Sequence, residues 1–257
     1  MKYSYLLLIC ALLAVGCSHK SNVYIIGGPQ LYEDFDGYTD IIILSDPVSD
    51  TAWVTLNNAA VPRIVGGIGF PPYALVFEAD NLPVAGLEYA MEFGTDGAEG
   101  SATCFVPQSF VITAPESVAV NDQLAVTWNK SDHAVWFSVQ FSFFDTLGSY
   151  RDTSLQTEDT TFIVPASWLS TDGWLDLYID AVNGPTIETG EGGNIEGASG
   201  YWLGINSQVT AVMVGHPYGP HPGFKTARDH RSVYRAYLTA AAPYNENAAD
   251  LLEKLRP

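Results

Sequence analysis

The chain has 257 residues and sets 29 acidic side chains against 11 Lys and Arg, a formal net charge of −18 at pH 7. The excess is uneven, since residues 21–224 hold 25 acids against Arg63, Lys130 and Arg151, while 225–257 hold six bases against four acids. A body of that sign repels phosphate backbones and anionic bilayers, so nucleic-acid binding is excluded from the expected functions.

Residues 5–16 form an apolar run that follows Lys2 and ends in Ala14-Val15-Gly16-Cys17. A basic start, a short apolar stretch and small residues before a cut compose a secretory signal, and the run is too short to span a bilayer. The spelling resembles the lipobox of bacterial lipoproteins, with Ala14 where Leu is common. That resemblance implies cleavage before Cys17 and acylation of its thiol and new amino group, palmitate included. Several acyl chains make dissociation from a bilayer negligible, so the mature chain is expected to stay lipid-anchored in the cell envelope. Ser18 resembles the residue found after the lipid-bearing cysteine in lipoproteins sent to an outer membrane, on its periplasmic or surface side.

Residues 17–35 read as a tether. At its end Asp34, Asp36 and Asp40 surround Gly37, an oxygen-rich set of the kind calcium accepts. Aligned on a helix–loop–helix calcium loop, the first and last ligands would be Tyr32 and Ile43, which do not ligate, so a polar turn is expected and no cofactor is required.

From about Asp40 to Val214, short β-branched and aromatic runs alternate with Gly, Pro, Asn and Asp, which predicts an all-β region. Leu87, Tyr89, Met91 and Phe93 share one face with Glu88 and Glu92 on the other, and Leu124, Val126 and Trp128 repeat the pattern. So do Val135, Phe137, Val139, Phe141 and Phe143, and then Leu175, Leu177, Ile179 and Ala181. The turn Leu82-Pro-Val-Ala-Gly-Leu-Glu-Tyr89 resembles the tyrosine corner of immunoglobulin-like and fibronectin type III-like modules, and Leu124–Trp128 with Phe137–Phe141 resembles their early strands around a buried Trp. The resemblance implies two tandem sandwiches, 36–111 and 112–214, joined through Phe110–Glu116; a single larger sandwich is the competing reading.

Among chemistry-bearing residues, Cys104 stands in an alternating stretch and reads as a small core side chain. Glu188, Glu191 and Glu196 cluster on a Gly-rich connection, the one place where paired carboxylates of a hydrolase are expected if the chain is an enzyme. His216 and His221 are spaced five apart without an evident third ligand, so they read as solvated imidazoles of a Pro/Gly linker. Trp168, Trp174, Tyr201 and Trp202 come from connections or strand ends and are candidates for stacking on a glycan, whereas Trp53 and Trp128 are expected in the core.

Residues 215–257 read as that linker followed by a short α-helical hairpin. Ala227, His230, Tyr234, Tyr237, Leu238 and Ala241 recur at helical spacing, Pro243 ends the first helix, and Ala248, Leu251, Leu252 and Leu255 mark a second. Arg228, Arg231 and Arg235 fall on another face, either to recruit an anionic partner or to dock on the acidic body, which the apolar stripe favours. The reading as a whole is a non-catalytic envelope protein that binds a protein or polysaccharide, with a structural spacer as the alternative.

Overall fold

The computed structural model describes residues 23–32, 37–45, 49–64, 74–79, 82–186, 193–217 and 221. Cys17, Asp34, Asp36, Glu188, Glu191, Arg228, Arg231, Arg235 and the expected hairpin lie outside them. The described chain is strand and loop, apart from one 3-10 turn at Ala166–Trp168.

The strands begin within the stretch expected as a tether: residues 23–32 form β1 (Val23–Tyr32), and β2 (Tyr38–Ser45) pairs with it in antiparallel register. The first half continues with β3 (Trp53–Leu56), β4 (Ala59–Ala60), β5 (Arg63–Ile64), β6 (Ala74–Ala79), β7 (Glu88–Gly94) and β8 (Glu99–Phe105). The second adds β9 (Ile112–Thr113), β10 (Ser117–Val118), β11 (Leu124–Trp128), β12 (Trp136–Asp145), β13 (Tyr150–Thr157) and β14 (Thr161–Val164). It closes with β15 (Gly173–Asn183), β16 (Ser199–Trp202) and β17 (Gly204–Val214).

These strands make three sheets. One has ten strands with the path β13-β12-β15-β17-β1-β2-β6-β5, with β16 on β1 and β10 on β17; the smaller ones are β4-β3-β7-β8 and β14-β11-β9. The long sheet runs through both halves because β1 lies parallel first to β16 and then to β17, at Tyr24–Ser199 and Gln30–Ile205. From Ser199 to Val214 the last two strands form a line of about 50 Å at ~3.3 Å per residue. At the break between them Leu203 N–H donates to the Gly27 carbonyl. Gly28 has φ +145° there, and a Cβ on it would stand 1.8 Å from the Leu203 carbonyl oxygen, so only glycine lets β1 pass.

Each small sheet covers part of one face of the long one. The four-stranded sheet closes a core of Val23, Ile25, Ile41, Ile43, Leu75, Phe77, Met91, Phe93 and Trp202. The three-stranded sheet closes a second, built on Phe137, Phe141, Phe143, Leu175, Leu177 and Ile179 with Val126 and Trp128 opposite. The change from one core to the other falls between Val106 and Phe110. Trp128 meets Phe137 edge-on at 5.5 Å between the layers, and the Tyr89 hydroxyl accepts the Val84 N–H at 2.8 Å, bracing the turn before β7.

Three side chains depart from the alternation expected of them. Val135 and Leu87 precede their strands and are roughly half exposed, and Trp53, expected in the core, is 44% exposed on the first residue of β3. The two-residue β4 pairs only with Thr55 and Leu56, so the Trp53 end of β3 is uncovered on that side, and the ring lies along Gly94, whose missing side chain leaves room for it.

Candidate functional site

Strand alternation turns Leu175, Leu177 and Ile179 into the second core and Trp174, Asp176, Tyr178 and Asp180 to the opposite, outer face of the long sheet. Cross-strand register extends that face through Ser142 on β12, Ser207 on β17, and Tyr24, Ile26 and Gln30 on β1, then Ile42 and Leu44 on β2 and Val76 on β6. Tyr201 on β16 joins it opposite Ile26.

Much of this face is buried, with Gln140, Trp174 and Tyr178 half-buried. Asp176 and Asp180 are each 1% exposed, and Tyr24, Ile26, Gln30, Ile42, Leu44, Val76, Ser142, Tyr201 and Ser207 are buried too. One end of it, around Tyr24 and Tyr201, is apolar, with the two rings in edge contact at 6.4 Å. The other end is polar. There Ser207 Oγ donates to Asp180 Oδ1, the Tyr32 hydroxyl donates to Gln30 Oε1, and His221 Nε2–H donates to Asp176 Oδ1 at 2.7 Å while its ring stands edge-on to Trp174 at 5.0 Å. Asp176 Oδ2 and Gln140 Oε1, also on this side, have no hydrogen-bond partner among the described residues. Burial holds the Asp176 carboxyl above the usual carboxylate range, against the lowering effect of His221.

The predicted site residues scatter. Tyr201 and Trp202, expected as exposed stacking rings, are buried: Tyr201 on the outer face, where burial raises its hydroxyl pKa, and Trp202 in the first core, its Nε1–H donating to the Tyr89 carbonyl at 3.1 Å. At 2% and 0% exposure neither presents an open ring face. Trp168 and Trp174 are half-buried at separate places. The Arg151 guanidinium sits 5.4 Å from the Trp168 ring centroid and 4.9 Å from that of Phe143, and donates to the Trp168 carbonyl. Asp40 lies on β2 opposite Gly28, and among the described residues no group of three His, Cys, Asp or Glu is placed to hold a metal.

His216 and His221 are not a pair. The His216 backbone N–H donates to Asp172 Oδ1 at 2.9 Å and the His221 ring goes to Asp176, so the second imidazole is engaged rather than solvated. Glu196 bridges β8 through the Ser101 backbone. Cys104 is buried on β8, and burial, with the charge of Glu88 second, pushes its thiol well above the ordinary value. A thiol held protonated is a poor nucleophile.

No family model matches this chain, and no curated relative does. Among solved structures, a crystal structure of domains A168–A170 from titin is similar at 10% identity over 76% of this chain and 66% of that one, with a TM-score of 0.25. The chain thus spans less than two thirds of that structure's length. A superposition at that score carries no argument, and the all-β architecture rests on the strand pairing itself.

Sequence reasoning missed Asp176 and Asp180, because Leu175-Asp-Leu-Tyr-Ile-Asp-Ala181 reads as a strand with one wet face. The signal that finds them lies elsewhere, in Val23-Tyr-Ile-Ile26 and Ile41-Ile-Ile-Leu44, whose unbroken apolar runs belong to strands buried on both faces.

Proposed function

We propose that this protein is a lipid-anchored bacterial envelope protein, with tandem immunoglobulin-like or fibronectin type III-like sandwiches, whose role is non-catalytic binding of a protein or polysaccharide. The anchor is Cys17. The step from Cys17 to Val23 is six residues, at most about 20 Å of extended chain, so the start of β1 stays close to the bilayer and the second core stands farther out along the long sheet. The observation that carries a binding role is an exposed apolar turn: Leu82, Val84 and Leu87 are each about half exposed, on a turn braced by the Tyr89 hydroxyl. Apolar side chains grouped on a rigid turn suit a protein partner, whereas Trp168 and Trp174 remain the rings on which a glycan would stack.

The reading is tested in cells that carry a photo-crosslinking residue at Leu87, with Cys17 intact or changed by Cys17→Ser. The account expects palmitate labelling and membrane fractionation that depend on Cys17, and a discrete adduct at Leu87. Label-free, soluble wild-type protein would overturn the anchor. Absence of any adduct at Leu87, with one recovered instead from a probe at Trp168, would move binding from the turn to the aromatic patch.

A further inference from the structure

We propose that Arg151, Trp168 and Ser170 form a binding site for a carboxylate-bearing sugar, a uronic acid unit of a glycan, with the guanidinium taking the carboxylate and the indole the sugar ring. Strand alternation sets Arg151 on the inner side of β13, opposite Phe143, while Asp152 points to the other face. Among the described strands β13 ends the long sheet. The Arg151 side chain therefore lies at the rim of the second core, where it is half-buried.

The guanidinium is held in place. Its carbon lies 4.9 Å from the centroid of the fully buried Phe143 ring and 5.4 Å from that of Trp168. One N–H donates to the Trp168 carbonyl, and the Ser170 hydroxyl is 3.5 Å away. The facing wall is as firm. Pro165 precedes the 3-10 turn, in which the Trp168 N–H donates to the Pro165 carbonyl and the Leu169 N–H to the Ala166 carbonyl, both at 2.9 Å. Leu169 is buried in the second core, and its carbonyl accepts the Asn121 N–H at 2.7 Å. Trp168 and Ser170 flank this anchor, the first half-buried with Phe141 edge-on at 4.7 Å and the second exposed.

What this cation lacks is an anion. Of the Lys and Arg among the described residues, Arg63 and Lys130 are exposed and Arg151 alone is drawn into the rim of a core. Among the described residues no carboxylate stands within ion-pair distance of it. Asp145, on which its charge acts only weakly, spends Oδ1 on the Leu147 and Ser149 N–H groups at 2.9 and 2.7 Å. The remaining guanidinium donors keep the planar fork that matches a carboxylate, already part-desolvated on two aromatic rings.

The surroundings narrow the ligand. The apolar face of a pyranose suits an indole, and Ser170 offers a donor and an acceptor to sugar hydroxyls. The acidic body repels densely charged polymers, so the site suits one carboxylate per bound unit and not a sulfated or phosphorylated chain. The inference rests on the aromatic-patch reading of the binding role, and it is independent of Cys17 and of the turn at Leu82–Leu87.

The test titrates the full chain, in detergent, with methyl glucuronide, methyl glucoside and the amide of the glucuronide, read by ligand-observed NMR. The glucuronide should bind at least tenfold more tightly than either neutral sugar. Equal binding of all three would overturn the carboxylate site and leave glycan stacking standing, whereas binding of none would overturn both. Acetyl-trialanine is titrated alongside, and an affinity equal to that for the glucuronide would make the site one for peptide carboxylates and overturn the sugar. In variants whose Tm matches the parent chain, Arg151→Gln should bring the glucuronide down to the glucoside level, and Trp168→Ala should weaken both at least fivefold. Glucuronide binding unchanged by Arg151→Gln would leave Arg151 a guard of the β13 edge and overturn the proposal.

Discussion

The two faces of the long sheet are buried by different means and to different extents, the outer one holding half-buried Gln140, Trp174 and Tyr178 beside fully buried Asp176 and Asp180. The inner face is mostly apolar, with Thr39 and Asn206 among its buried residues, and meets two small sheets whose strands alternate in step with it, as in Tyr89, Met91 and Phe93 against Ile41 and Ile43. The outer face mixes Ile26, Ile42 and Leu44 with Asp176, Asp180 and Gln30, all equally hidden. Apolar burial scales with area and needs no precise partner, whereas each buried carboxylate must find donors. The inner face thus specifies a core, and the outer face specifies what lies against it.

The largest expected effect is on the inner face. Trp202→Ala removes a fully buried indole and its hydrogen bond to the Tyr89 carbonyl, and should cost about 3 to 5 kcal/mol in chemical denaturation. The sharper pair is Ile43→Ala and Ile42→Ala, adjacent residues pointing to opposite faces. Each should cost about 2 to 4 kcal/mol, and an Ile42→Ala cost below about 0.5 kcal/mol would make the outer face an ordinary exposed one.

Tyr89→Phe keeps the ring in the first core and removes the bond from the Val84 N–H. It should cost about 1 kcal/mol, a fall of roughly 2 to 4 °C in Tm for a chain of this size, and should loosen the turn carrying Leu82, Val84 and Leu87.

The smallest effect is on pH dependence. Burial raises the Asp176 pKa in the folded state, so between the ordinary aspartate value and the raised one the native state binds more protons than the unfolded. Stability contributed by the protonated group is present at low pH and falls as pH rises through that window. Asp176→Asn should flatten this part of a Tm-against-pH curve; an unchanged slope would mean that Asp176 is solvated.

Much of the inner architecture was legible in the chain. The alternation of Leu124, Val126 and Trp128, and of Leu175 to Ala181, placed those residues in the core, and the sequence Leu82–Tyr89 foretold the hydroxyl brace. Strand ends were not legible, because Val135 and Leu87 continue the period of the strands they precede. Nor was β1, since Gly27-Gly-Pro29 reads as a loop. It forms a strand because Gly28 lets Leu203 approach and Pro29 lies opposite Thr39 without breaking the ladder. The candidate site was less legible still, because period-two patterning tells which residues share a face but not whether that face is covered.

The most direct measurement compares thiol reactivity at Ile42→Cys with that at Leu147→Cys, in a chain carrying Cys10→Ser and Cys17→Ser so that Cys104 is the remaining native thiol. Leu147 is 83% exposed and Cys104 is buried. The account predicts that a maleimide labels position 42 as slowly as Cys104, through unfolding alone. Labelling of position 42 as fast as position 147 would show an open outer face and contradict it.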